Sequence, residues 1–339
     1  MGKGGEGNIH QKKDDKDIKA TVTIDNTHIK RNVSHYIAVF TWIGWLSFYV
    51  LFMFSVPLLY LYAKNVLIGI SSLIFLSAIL PIDRKKQPKW AFAIGTWCMK
   101  KASEYFHMKV IVEDVEKIKT MGPAVFALEP HDVLPLSIFA FNDCLGGLPG
   151  QKCLGCVTSA CFSVPLMRHI YTWVNAYSVD KKSLIKMLST GISPVLCPGG
   201  VQEVTLMENE KECVLYLNKR LGFVKLALQF GVPLVPCFSF GLRDSFSYWV
   251  PKGKFVHKVA RAIGFLPMIF FGVFGIPMGP ARPCNYTNVI GKPIIVPKIA
   301  DPTEEELRNY HAIFVKELTL LFEKYKHDNG MGDVTLRIV

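Results

Sequence analysis

Two short stretches carry residue types that could do acid–base chemistry. The first is Glu129-Pro130-His131-Asp132. Imidazole changes charge near neutral pH, and a neighbouring carboxyl group can fix its tautomer, which is the minimum a general base requires. Pro130 keeps Glu129 out of helical geometry, and residues two apart in an extended chain point the same way. Glu129 and His131 are therefore expected on one side of the chain, with Asp132 on the other. The second stretch is Pro198-Gly199-Gly200-Val201-Gln202-Glu203. Adjacent glycines let backbone N–H groups approach a ligand or an oxyanion, and the acid three residues on can reach a histidine supplied by a neighbouring strand. Each stretch also has a plain reading: a structural histidine at a strand end, and a Gly-Gly turn before a helix-start acid.

Both stretches follow apolar runs bounded by Pro and Gly. The runs at 109–113, 124–128, 194–197 and 234–238 read as strands buried on both faces, and chemistry in such sheets gathers where the strands end. Helices are expected at 180–188, behind the acidic cap Asp180, and at 214–229, stopping before Gly231. A last helix is expected to start at Asp301-Pro302-Thr303-Glu304, read as N-cap, first-turn proline and capping-box acid. Leu307, Tyr310, Phe314, Leu318, Leu321 and Phe322 then recur at helical spacing, so this helix should cover one sheet face.

Residues 37–82 hold one formal charge, Lys64. A spanning helix takes about 20 apolar residues. Arms at 37–62 and 66–82, turning at Lys64-Asn65, would make a transmembrane hairpin. Lys30 and Arg31 precede it and Arg84, Lys85, Lys86 and Lys89 follow, which puts both outer ends on the cytosolic side. The division expected is a disordered polar arm over 1–35, the hairpin over 36–83, and a membrane-associated α/β domain over 84–339. Within that domain 262–281 is uncharged but holds four glycines and three prolines. It reads as an irregular apolar segment resting on a bilayer or lining an acyl pocket.

Composition narrows the rest. With 339 residues, 50% apolar and 19% charged, the chain is too hydrophobic for a disordered tail protein and too mixed for a multi-span transporter. Of its net charge of +12, +7 falls in 243–300, where eight Lys/Arg meet only Asp244. With Trp249 and Phe255 interleaved, that suits an anionic bilayer surface or a phosphorylated cosubstrate; no nucleic-acid module accompanies it, and no nucleic acid is expected. The sequence has no Gly-x-Ser-x-Gly elbow, phosphate-binding P-loop or dinucleotide fingerprint. Cys153 and Cys156 lack a second ligand pair, so no metal is expected, and the nine cysteines read as thiols.

The motifs resemble those of the type 2 diacylglycerol acyltransferases and their monoacylglycerol and wax-ester relatives. Glu129-Pro130-His131-Asp132 is similar to the family's His-Pro-His-Gly box in its plant and algal Glu-Pro-His form, with Asp132 in the position of the glycine. Pro198-Gly199-Gly200-Val201-Gln202-Glu203 resembles the Gly-Gly-x-x-Glu segment, and Arg220 through Gly231 the long family signature. Val289-Ile290-Gly291-Lys292-Pro293-Ile294 resembles its closing motif. The resemblance implies a mixed-sheet α/β acyltransferase domain behind a membrane hairpin, and acyl transfer from acyl-CoA, as cosubstrate, to the free hydroxyl of diacylglycerol. No other cofactor is implied. It places the chain at the endoplasmic reticulum membrane facing the cytosol, with product passing to lipid droplets, and leaves self-association open. It assigns His131 as the base, with Glu203 or Glu129 orienting it, and puts Gly199 and Gly200 near the acyl carbonyl; on charge alone, Arg220 and Lys225, or lysines of 243–300, are candidates for the CoA phosphates. Monoacylglycerol or a long-chain alcohol is an alternative acceptor, and a non-catalytic droplet hairpin protein the alternative of another class.

Overall fold

The computed structural model describes residues 20–82, 87–142, 145–146, 148–207, 209–251 and 268–339. Most of the expected polar arm, the basic residues Arg84, Lys85 and Lys86, and 252–267 lie outside the described residues. In chain order the elements are β1 (Thr21–Asp25), α1 (Val33–Ile43), α2 (Trp45–Tyr62), α3 (Lys64–Ile79), α4 (Lys89–Tyr105), β2 (Lys109–Val112), α5 (Val115–Thr120) and β3 (Val125–Glu129). There follow β4 (Cys153–Val157), α6 (Met167–Trp173), β5 (Tyr177–Ser178), α7 (Lys181–Ser189), β6 (Ser193–Leu196), β7 (Glu212–Leu215), α8 (Gly222–Phe230) and β8 (Leu234–Phe240). The chain ends with β9 (Ser247–Trp249), β10 (Ile269–Phe271), β11 (Thr287–Ile290), α9 (Glu304–Tyr325) and β12 (Thr335–Ile338).

Eight strands form one mixed sheet in the order β1-β2-β11-β8-β3-β6-β4-β5. Its centre is parallel, with β8, β3, β6 and β4 running the same way. Every residue of β3, β6 and β8 is buried, as unbroken apolar runs demand when both sheet faces are covered. Strand alternation divides the side chains. Phe126 and Leu128 join the core under α1 and α4, while Val125 and Ala127 join the one under α7, α8 and α9. β3 and β6 are parallel neighbours, with Leu196 at the end of β6 opposite Ala127 of β3, which brings the two chemistry-bearing stretches side by side.

Three expectations change. The segment 214–229 is not one helix: Glu212–Leu215 is strand β7, and only Gly222–Phe230 is helical before left-handed Gly231. β7 pairs in parallel with β12, more than a hundred residues downstream, and no local pattern announces such a partner. The last helix is capped two residues later than expected, with Thr303 as N-cap and Glu306 closing the capping box. Part of the expected polar arm is structured, because Thr21–Asp25 pairs antiparallel with β2 at the sheet edge.

The hairpin also differs. Its expected first arm breaks at Gly44, where a side chain would meet the Phe40 carbonyl at 2.5 Å, and α1 and α2 diverge by 68°. α1 is a packing helix: His35, Ala38, Val39, Trp42 and Ile43 are buried, spaced as one helical face requires. Its buried His35 bonds Glu104 of α4 at 2.8 Å through Nε2, while Nδ1 accepts the Asn32 N–H at 2.9 Å. α2 and α3 meet at Ala63, beside the turn expected at Lys64-Asn65, and most of their apolar side chains face outward. The far end of α3 is tied down: Leu166 N–H donates to Ser77 Oγ at 3.1 Å, His169 Nε2 donates to the Ser77 carbonyl at 2.9 Å, and Arg168 binds the Ala78 carbonyl. Among the described residues no single helix is long and apolar enough to cross a membrane, although α1 and α2 together pass that test across their bend.

Candidate active site

β3 ends at Glu129, and the chain then turns through His131 and Asp132. Asp132 has φ +51°, a left-handed backbone that aspartate tolerates better than most residues and glycine adopts freely. Its Oδ1 accepts the Val133 N–H at 2.6 Å, which holds the turn. In that turn His131 Nδ1 lies 2.8 Å from the carbonyl oxygen of Asp132. A carbonyl only accepts, so Nδ1 carries the hydrogen and Nε2 keeps its lone pair. The ring is half-buried, and burial holds its pKa below the usual histidine value, partly offset by the Asp132 carbonyl. At neutral pH it is an uncharged base.

The carboxylate expected to orient the ring does something else. Glu203, on the turn of 3₁₀ helix Gly200–Leu206, accepts the backbone N–H of His131 at Oε2 (2.8 Å) and the backbone N–H of Tyr216 at Oε1 (3.0 Å). It binds the chain carrying the histidine, not the imidazole. Glu129 does not meet the ring either: its Oε1 accepts the Gly199 N–H at 2.7 Å. The imidazole partner is a main-chain carbonyl, and residue types do not reveal where carbonyls point.

Both glutamates are buried, at 0% and 1% exposure. Burial raises both carboxyl pKa values, Glu203 to about 7 and Glu129 well above the ordinary range, where the neighbouring Glu203 charge adds to the effect. The pair therefore holds a proton at neutral pH. Two backbone donors favour the anion at Glu203 and one at Glu129, so the proton belongs on Glu129.

The glycines fit tightly round this pair. A Cβ on Gly199 would lie 1.8 Å from Glu203 Oε1, and Gly200 has φ +62°. The Gly199 N–H expected at an oxyanion is taken by Glu129, which leaves Gly200 as the remaining candidate of the two. Gly199→Ala should displace the Glu203 carboxyl and lower both melting temperature and activity, whereas alanine at Gly222, where nothing crowds an added Cβ, should be mild; melting curves of the two variants check the contrast.

Arg220 joins the cluster. Its Nη2 donates to the Gly199 carbonyl at 3.3 Å, its guanidinium stacks over Tyr216, and its charge favours the ionised form of Glu129. Lys225 does not join: it is 41% exposed and 3.8 Å from Asp301. The structure thus gathers His131, Glu129, Glu203, Gly199, Gly200 and Arg220. It adds Asp132, which the sequence reading noted but gave no role, and Tyr216, which carried no signal. Among the described residues no group of His, Cys, Asp and Glu is arranged to hold a metal ion.

Residues 56–339 match the family model described as diacylglycerol acyltransferase. Diacylglycerol O-acyltransferase 2 of Dictyostelium discoideum is 33% identical over 219 residues, 60% of this chain and 66% of that protein. The protein of the same name in Xenopus tropicalis is 30% identical over 273 residues, 75% of this chain and 73% of its own length. Human 2-acylglycerol O-acyltransferase 3 is 34% identical over 195 residues, covering 54% of this chain and 57% of that one. The chain thus spans just under two thirds of the Dictyostelium protein.

Proposed function

The chain belongs to the diacylglycerol acyltransferase family, and from that membership we propose that it esterifies the free hydroxyl of diacylglycerol with the acyl group of acyl-CoA. An alcohol is a weak nucleophile at neutral pH, and the observation that carries the reading is an uncharged His131 whose Nε2 lone pair is left over after Nδ1 is bound. In direct transfer Nε2 takes the hydroxyl proton as the glycerol oxygen attacks the thioester carbonyl. The C–S bond then breaks, and the imidazolium returns the proton to the CoA thiolate. Glu203 acts through the backbone: it fixes the His131 and Tyr216 amides, and so where the ring stands.

The α2–α3 hairpin is read as the membrane anchor, with both outer ends on the cytosolic face of the endoplasmic reticulum and product released towards lipid droplets. What supports the anchor is exposure: Leu51, Phe54, Leu61 and Phe75 are each more than 60% exposed, which water would penalise and hydrocarbon would not. α2 and α3 adjoin as two apolar helices of 18 and 16 residues, and α1 with α2 reaches the length of a span across its bend.

The relatives named for 2-acylglycerol keep monoacylglycerol as the second acceptor. Purified protein in phosphatidylcholine vesicles with labelled acyl-CoA decides between them. Triacylglycerol from added diacylglycerol is expected, at a higher kcat/KM than diacylglycerol from added monoacylglycerol, and the reverse ranking would reassign the acceptor.

A further inference from the structure

Far from β3 in sequence, α1 and the loop after β10 border an open apolar groove of about 380 Å³. That volume lies within the range of lipid-sized ligand sites. Ile37, Val39 and Phe40 line one wall, Val273, Phe274 and Ile276 the other, and Tyr105 also lines it. The loop is held in an unusual shape. Phe274 has φ +56° and Met278 φ +54°, conformations that bulky side chains rarely adopt, yet Phe274 is 91% exposed. Strain that leaves a large aromatic ring in the open gains nothing for folding, and such outliers gather where ligands bind. The loop is anchored to the hairpin as well, since Ser47 Oγ of α2 donates to the Met278 carbonyl at 3.0 Å.

We propose that this groove holds one hydrocarbon chain of a diacylglycerol molecule drawn laterally from the bilayer. Ile37 and Phe40 of its lining are themselves 53% exposed, and the helix that follows α1 turns Phe48, Leu51 and Phe54 outward as well, so the medium that accepts those side chains also meets the groove. No charged side chain lines it, and its hydroxyl-bearing residues Tyr36, Thr41 and Tyr105 are neutral. A phosphate headgroup would find no counter-charge in that lining, whereas a glycerol hydroxyl or ester needs none. The choice of diacylglycerol rests on the acyl-transfer reading; occupancy by a chain does not.

The experiment uses the full chain in phosphatidylcholine vesicles containing a diacylglycerol with a diazirine in one acyl chain. Photolysis should label peptides carrying Phe40 and Phe274, and unlabelled diacylglycerol should suppress that label where extra phosphatidylcholine does not. Ile37→Trp fills the groove from a residue 53% exposed, and Phe274→Ser removes a side chain 91% exposed, so neither substitution removes core packing. Each should lower the groove label and raise the KM for diacylglycerol by about tenfold, the lower end of what a one-methylene misfit in an apolar pocket is worth. Label confined to α2 and α3, unchanged label in Ile37→Trp, or equal suppression by phosphatidylcholine would each overturn the assignment. Label at the groove in a protein that transfers no acyl group would keep the chain site and sink the acyl-transfer reading, so the two fail separately.

Discussion

His131→Ala should lower kcat for acyl transfer by about 10² to 10⁴, the range that a positioned general base supplies. Stability should hardly change. The backbone N–H that Glu203 binds survives the substitution, and the ring's hydrogen bond is local, to the carbonyl of the next residue. Melting temperature and protein yield in vesicles therefore serve as controls, and a variant that melts normally yet retains most of its turnover would remove His131 from the mechanism. The pH profile gives a second readout. The working form is the neutral ring, and burial holds its pKa below the usual histidine value of 6.5, so the acid limb of kcat/KM should fall below pH 6.5. A ring stabilised as imidazolium by a carboxylate partner would move that limb the other way.

How much of this was legible beforehand depends on whether the signal is carried by side chains. The runs that became β3, β6 and β8 were readable because burial on both faces demands unbroken apolar sequence, and His131 because it follows such a run; β2 forms where expected but only every second residue of it is fully buried. α1 was absorbed into a supposed membrane arm because its outer residues Tyr36, Ile37 and Phe40 are as apolar as its buried ones, which erases the period that marks a packing helix. β12 and its partner β7 lie too far apart in sequence for any local pattern to pair them. The acceptor for His131 Nδ1 and the donors to Glu203 are main-chain groups, set by the left-handed turn at Asp132 and the end of β7. Spacing placed Glu203 at the site and misassigned what it holds.

That misassignment has a measurable consequence, because it reverses which glutamate tolerates amidation. Glu203→Gln should be the damaging change. Two backbone N–H groups point at two carboxylate oxygens, and glutamine offers one acceptor and one NH₂, so one amide of His131 or Tyr216 faces another donor. A buried donor left unsatisfied costs about 1 to 3 kcal/mol, and the displaced His131 backbone should carry kcat down with it. Glu129→Gln should be far milder. Glu129 is the protonated partner, so glutamine preserves its charge, and its carbonyl can accept from Gly199. Linkage gives the sign of the pH effect. Carboxyl groups with raised folded pKa values hold more protons folded than unfolded, so their contribution is full below the ordinary glutamate value of 4.5 and is lost as pH rises through about 7. Wild-type melting temperature should therefore carry a downward component across that window. Glu129→Gln, which leaves no second charge to repel, should flatten it. If instead Glu129→Gln melts far lower than Glu203→Gln, the proton sits on the other oxygen pair and the two residues exchange roles.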